Sequence, residues 1–358
     1  MKNGINPAEF NFSALVGLCR RTHEELRGRA TRSVDTAMVV RNWLIGWYII
    51  EYEQNGADRA RYGSRLIERL EAKLCIKGAS ATNLRKFRQF YREYPIQQAV
   101  PVGSRRVMFP ALDWRTVSDE LLRRFSLGWS HYMALLSIDD PEERRFYEIE
   151  AREGSWGSRD LERQISSSLY ERLALSRDKE EVLRLSRNGQ TVEKPADIIK
   201  SPLVLEFLGL EEKHSYSESE LETAIIDKIE RFLLELGKGF LFEARQKRFT
   251  FDNDHFYVDL VFYNRLLRCY VLIDLKRDKL THKDLGQMQM YVNHFDRHVK
   301  TKDEFPTIGI VLCHRKNDAL VELTLPKEAN IFASKYQLYL PSKETLKAQL
   351  EKIGAELK

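Results

Sequence analysis

Residues 255–264, HFYVDLVFYN, and 268–276, RCYVLIDLK, are two apolar runs separated by a short turn around Asn264 to Leu267. Their composition and spacing predict two strands paired as a hairpin. Each run carries a carboxylate where burial is expected: Asp259 inside the first and Asp274 near the end of the second. Lys276 follows two positions later, on the same face of the strand as Asp274. Lone buried charges are expensive, so a fold that keeps these runs as strands must supply partners for all three. Two carboxylates converging on one sheet edge repel unless a cation joins them. Oxygen donors with no His or Cys at hand fit Mg²⁺, or Mn²⁺, far better than zinc. Lys276 could then orient or deprotonate water and offset developing negative charge. The plain alternative is an ion pair of Asp274 with Lys276 at a strand end.

The surrounding pattern extends the hairpin to a mixed α/β domain over residues 218–358. SESELETAIIDKIERFLLELGKG reads as an amphipathic helix, and FLFEARQKRFTF as a further strand. A helix from about Lys283 to Phe295 and a buried strand, PTIGIVLCH, follow the hairpin. Before it, residues 181–217 are polar and broken by Gly and Pro, the composition of a linker. Residues 1–180 read as helix after helix. Ser64 to Cys75 and the segment ATNLRKFRQFYREYP, joined through Lys77-Gly78-Ala79-Ser80, predict a helix-turn-helix over about 64–94. Its second helix carries an apolar stripe of Leu84, Phe87, Tyr91 and Tyr94. Arg85, Arg88, Gln89 and Arg92, with Lys86 beside them, fall on another face, as a nucleic-acid recognition helix requires. A solvated basic face on a helical hairpin would look the same.

Charge supports the first reading, because the first hundred residues hold 17 Lys and Arg against 10 Asp and Glu. A second unit over about 142–174, with Leu161, Ile165, Leu169 and Leu173 at helical spacing, is either another helix-turn-helix or a packing repeat. Trp114, Trp129 and Trp156 read as packing anchors of this half. The four cysteines are scattered without paired spacing, no apolar run spans a bilayer and the N-terminus has no signal-peptide pattern. These features point to a reducing cytoplasm and to no membrane partner.

Asp259 and Asp274-Leu275-Lys276 resemble the Asp…(Asp/Glu)-x-Lys signature of the PDDEXK nuclease superfamily, of restriction-endonuclease-like fold. Gln287-Met-Gln-Met-Tyr291 looks like the Gln-x-x-x-Tyr motif of RecB-type members. LLELGKGFLFEARQKR, FYVDLVFYNRLLRCYV, GQMQMY and PTIGIVLC are similar to the C-terminal domain of the YhcG-type bacterial nucleases. NLRKFRQFYREYP, LGWSHYMALL and the Trp156–Leu173 segment resemble that family's N-terminal domain.

The resemblance implies a mixed central sheet flanked by helices, a Mg²⁺-dependent phosphodiesterase site and an all-α DNA-binding half. It implies Asp259, Asp274 and the Leu275 carbonyl as metal ligands, Lys276 as the residue handling water and Gln287 as its steadying partner. Tyr291 supports the site, and Glu222 matches the acidic position that often completes it. Ser219-x-x-Glu222 also reads as a capping box, which would leave Glu222 only a helix-start role. The basic run of Arg277, Lys279 and Lys283 lies where nucleic-acid backbone would approach.

Two departures stand out: Val258 replaces the superfamily's Pro, and Asp274 its commoner Glu, with a shorter arm. The expected activity is a nuclease, more in keeping with an endonuclease, on DNA. Alternatives are RNA or branched junctions as substrate, or a nucleic-acid-binding protein with impaired turnover. A homodimer is compatible, as are roles in DNA repair or phage defence.

Overall fold

The computed structural model describes residues 11–28, 34–55, 65–95, 121–175, 179–200, 202–210, 216–326, 328–340, 342–346 and 348. Trp114 and Ser64 lie outside them. Contacts divide the chain into two units, Met1–Leu161 and Glu162–Lys358.

Helical apolar periodicity builds the first unit from α1 (Phe12–Gly28), α2 (Val34–Asn55), α3 (Leu66–Leu74), α4 (Ala81–Glu93), α5 (Trp129–Leu135) and α6 (Pro141–Glu153). α3 ends on Cys75 in the left-handed region, at φ 52°, rather than directly on the expected Gly78. Ser80 then caps α4, accepting the Asn83 N–H at 3.3 Å. α4 buries Leu84, Phe87 and Phe90, with Tyr94 just beyond its end. Phe90 meets Phe125, Trp129 and Tyr132 at ring-centroid distances of 4.9–5.4 Å. Gly46 of α2 sits against the α4 backbone: a Cβ there would lie 2.0 Å from the Phe87 carbonyl oxygen. Only a residue without a side chain allows these helices to cross so closely.

The first unit closes within α7 (Ser158–Ser166), and α8 (Leu169–Ala174) and α9 (Lys179–Asn188) follow in the second. Leu161, Ile165, Leu169 and Leu173, expected at one helical spacing, therefore fall on two helices, broken at Ser168, which takes φ 52°. The 181–217 stretch, expected as a linker, also differs. It carries the end of α9, and its β1 (Leu203–Val204) pairs in parallel with β6 (Ile331–Gln337). Its polar composition hides a short apolar run, with Ile198, Leu203, Val204, Leu205, Phe207 and Leu208 all buried.

α10 (Glu218–Asp227) and α11 (Ile229–Leu236) replace the one amphipathic helix expected here. At the break, Lys228 donates to the Phe207 and Leu208 carbonyls at 2.6 and 3.2 Å. β2 (Phe240–Phe251), β3 (Asp254–Asn264) and β4 (Cys269–Lys279) form an antiparallel meander. β5 (Ile308–Arg315) and β6 extend it in parallel, with α12 (His282–His298) between β4 and β5 and α13 (Asp318–Thr324) between β5 and β6. The six-stranded mixed sheet has the order β1-β6-β5-β4-β3-β2. Alternation divides its side chains between two cores. On β4, Val271, Ile273 and Leu275 join the α10 and α11 layer, whereas Leu272 joins the α12 layer with Met288 and Tyr291. On β3 the alternation breaks around Asp259, because Val258 and Val261, three positions apart, both join the α12 layer.

One carboxylate ties the helical lead-in to this domain. Glu235 of α11 is fully buried and faces Arg172 at 2.6 Å and Arg163 at 3.4 Å. Its Oε1 also accepts the Val204 N–H at 3.0 Å, fixing the start of β1. Burial opposes its charge, but Arg172, Lys200 and Arg163 outweigh burial and hold the carboxyl down at about 2.

Two outcomes follow. Gly46→Ala should lower the melting temperature followed by circular dichroism, reflecting about 1–3 kcal/mol of overpacking between α2 and α4. Glu235 is more acidic folded than unfolded, so its stabilisation is complete above its ordinary pKa of 4.5 and lost as pH falls through about 2. Denaturant titrations should find Glu235→Gln destabilised by about 3–5 kcal/mol at neutral pH, with the gap to wild type narrowing through that acid window.

Candidate active site

β3 and β4 pair from Asn264↔Cys269 to Leu260↔Ile273, where their ladder stops. One more step in register would set Asp259 opposite Asp274. Instead Asp259 Oδ2 accepts the Leu275 N–H at 2.8 Å, so a side chain takes the bond the next strand residue would have made. A strand residue's N–H and C=O point to the same edge, so the Leu275 carbonyl also opens toward this gap.

Asp274 is only 2% exposed. Alternation from Leu272 turns Asp274 and Lys276 toward the α12 layer. The Lys276 ammonium lies 2.8 Å from Asp274 Oδ2 and 3.8 Å from Glu218 Oε2. Burial and then the Asp259 charge push Asp274 up to about 7, against the opposing pull of Lys276. Burial would lower the Lys276 pKa, but Asp274 and, more weakly, Glu218 and Asp259 raise it instead. Lys276 therefore stands as an ammonium ion.

α12 begins with a capping box in which Thr281 N–H donates to Asp284 Oδ2 at 2.7 Å and Asp284 N–H returns to Thr281 Oγ1 at 3.4 Å. One turn later Gln287 and Tyr291 meet at i, i+4, with the Gln287 amide donating to the Tyr291 hydroxyl. The Tyr291 ring is buried, edge-on to Phe249 with centroids 5.6 Å apart. Burial raises its pKa, and the charges of Asp274 and Asp259 act in the same direction.

The start of α10 corrects the expected capping box. Ser217 and Glu220 form it, with Ser217 N–H donating to Glu220 Oε2 at 2.7 Å and Glu220 N–H to Ser217 Oγ at 3.1 Å. Glu222 lies two positions beyond Glu220 and is not needed at the helix start. It is buried at 5% exposure, with Arg245 Nε 3.1 Å from Oε1. Its Oε2 accepts from the Gln246 amide at 2.5 Å, and the same nitrogen donates to Asp259 Oδ1 at 3.0 Å. Sequence reasoning assigned no role to Gln246, Arg245 or Glu218. A signal for Gln246 existed: the turn after Phe251 pairs it with Asp254, and counting back in register sets Gln246 opposite Asp259.

The expected nucleic-acid contacts fall in two places. On the rim, Lys279 and Lys283 are exposed, while Arg277 pairs with Asp278 at 3.1 Å and donates its backbone N–H to Glu218 at 3.2 Å. On α4 the polar groups have intramolecular partners. Arg85 pairs with Glu68, and Arg88 and Arg92 lie 2.6 and 3.8 Å from Glu53. Gln89 donates to the Leu136 carbonyl at 3.0 Å and accepts from Lys86 at 3.1 Å. The face expected to be basic is thus largely ion-paired.

Among the described residues, no group of three or more His, Cys, Asp and Glu side chains forms a ready metal cluster. The donors beside the gap nevertheless suit a hard cation. Asp274 Oδ2 and Glu222 Oε1 are buried without an aligned hydrogen bond, and burial together with the Asp259 charge raises the Asp274 pKa. Asp259, Asp274 and the Leu275 carbonyl could supply its oxygen ligands.

Residues 196–351 match the YhcG PDDEXK nuclease domain, and residues 19–172 match the DUF1016 N-terminal domain. The chain is 39% identical over 350 residues to the YhcG protein of Escherichia coli (strain K12), covering 93% of this chain and 92% of that one. A repair endonuclease from Pyrococcus abyssi, known from a crystal structure, aligns with 37% of this chain and 50% of its own at 18% identity, with a TM-score of 0.25. That likeness is too weak to carry an argument. No described helix is long and apolar enough to cross a membrane.

Asp274 binds its proton more tightly folded than unfolded, so the metal-free protein should lose stability as pH rises from about 4 through about 7. Asp274→Asn should flatten that fall. Chemical denaturation in EDTA across this range measures both slopes, and equal slopes would contradict the assigned shift.

Proposed function

The chain belongs to the YhcG family of PDDEXK nucleases, and on that premise we propose a Mg²⁺-dependent enzyme that hydrolyses DNA phosphodiester bonds. The observation that carries this reading is the buried Asp274, beside Asp259 and ion-paired to Lys276, where the β3–β4 ladder ends. Acids held at a raised pKa by burial and a like charge cluster at functional sites.

Asp259, Asp274 and the Leu275 carbonyl would hold Mg²⁺, with Mn²⁺ as an alternative. When bound, the ion supplies Lewis acidity toward a phosphate oxygen and lowers the pKa of water. Lys276, kept protonated by its acidic neighbours, acts through charge. It orients the attacking water and offsets negative charge growing on the phosphate, rather than serving as the base. Gln287, its amide nitrogen engaged by Tyr291, offers its carbonyl oxygen to that water. Tyr291 holds Gln287 in place from within the core. Arg277, Lys279 and Lys283 receive the nucleic-acid backbone at the rim. The α4 residues contribute less, because Arg85, Arg88 and Arg92 are paired with Glu68 and Glu53, while Lys86 and Gln89 bond to each other and Gln89 to the Leu136 carbonyl.

The test incubates purified protein with supercoiled plasmid, linear duplex, branched DNA and RNA in Mg²⁺, Mn²⁺ or EDTA. Nicking or linearisation of plasmid that requires metal is expected, with Asp259→Ala, Asp274→Ala and Lys276→Ala each slower by about 10²–10³-fold. Cutting of RNA alone would redirect the substrate. Binding without cutting under every metal would overturn the enzyme reading. Calorimetry near pH 7, in buffers of different ionisation enthalpy, should show proton release on Mg²⁺ binding, as Asp274 exchanges its proton for the ion.

A further inference from the structure

In a regular strand, Arg245 and Gln246 would face opposite sides of the sheet. Here both reach the same carboxylate: Arg245 Nε lies 3.1 Å from Glu222 Oε1, and the Gln246 amide donates to Glu222 Oε2 at 2.5 Å. The backbone makes this possible, because Gln246 takes φ 46°, in the left-handed region that disfavours a residue with a Cβ. Such a conformation persists only where its surroundings hold it, and it gathers at functional sites. The same amide nitrogen donates to Asp259 Oδ1 at 3.0 Å. One side chain thus spans Glu222, which comes from a helix, and Asp259, which comes from the sheet. The residue itself is exposed, yet both hydrogen bonds run to site carboxylates.

We propose that Gln246 is a positioning residue: its left-handed backbone and bridging amide hold Glu222, the acidic position that the family resemblance already implies, on the Asp259 side of the site as a third carboxylate for the divalent cation. This rests on the metal-dependent reading above. Gln246 acts through Glu222 and Asp259 and needs no contact with the substrate. Outer groups that orient metal-binding carboxylates typically contribute about 10–100-fold in metal affinity.

The experiment titrates Mn²⁺ into metal-stripped full-length protein, with free Mn²⁺ read by electron paramagnetic resonance and thermal melts run on each variant. Gln246→Gly removes the amide but suits the left-handed backbone, so relief of backbone strain offsets the lost hydrogen bonds and the variant should melt near the wild-type temperature. The proposal expects it to bind Mn²⁺ about tenfold more weakly. Glu222→Gln should weaken binding at least as much. The double variant should be no weaker than the worse single, because both changes break one link.

Wild-type Mn²⁺ affinity in Gln246→Gly would overturn the proposal, as would losses that multiply in the double variant. Absence of Mn²⁺ binding by the wild-type protein would instead overturn the metal reading on which it rests. Nuclease assays add a further readout: at saturating Mn²⁺ the Gln246→Gly rate should recover much of its loss, which a general defect in folding would not allow.

Discussion

Two strands that stop pairing while their chains run on must find other partners for the peptide groups they leave behind. In β3 and β4 that partner is the Asp259 carboxylate, which takes the Leu275 N–H at the end of the ladder. Most of what surrounds the site depends on this substitution. It marks where β3 and β4 part company, and turns the Leu275 peptide toward the opening between them. It also sets one carboxylate where it raises the pKa of the next. Without the Asp259 bond the strands would close over Asp274, or Leu275 would keep an unsatisfied N–H next to a buried acid.

The energetics are those of a polar site inside a hydrophobic frame. Leu272, Val258, Val261, Met288 and Tyr291 pack the layer against α12, and Leu221, Ile225, Leu260 and Ile273 pack the other. The two layers fix the strands firmly enough to keep Asp274 buried with Lys276 as its near neighbour. The Glu235 cluster works differently although it is equally buried. Glu235 has Arg172, Arg163 and a backbone N–H, and its carboxyl is driven to low pKa. Asp274 has a single close cation and a like charge nearby, and its carboxyl is driven up. Opposite shifts in two buried acids separate a charge that is matched from one that is short of a partner.

Much of this was legible in the residues. The two apolar runs and the short turn between them predicted β3 and β4 as a hairpin, and the two strands pair from Asn264↔Cys269 to Leu260↔Ile273. The PDDEXK fold and family, read from Asp259, Asp274-Leu275-Lys276 and Gln287, agree with the domain match and with the relative. Local signals failed where tertiary contacts overrode them. Lys228 and Ser168 each break a helix whose apolar periodicity continues past them. β1 is two residues long, too short for its alternation to be read, and its place comes from pairing with β6 across more than a hundred residues. Ser217 and Ser219 both offer a Glu three positions on, and only the fold selects Ser217 with Glu220. The α4 face showed its arginines but not Glu53 and Glu68, because ion pairing across helices leaves no mark on one helix's pattern.

β2 is the outermost strand of the sheet on its side, and an open edge of twelve residues would ordinarily be a template for another chain. Its register shifts between Phe242 and Ala244, and Gln246 departs from extended geometry three residues after Glu243. The two irregularities break the twelve-residue edge into short pieces, the longest regular one running from Lys247 to Phe251. The distortion that turns Gln246 toward two carboxylates therefore also interrupts the edge that a foreign strand would need, so one local departure from regular β structure shapes both the site and the sheet edge.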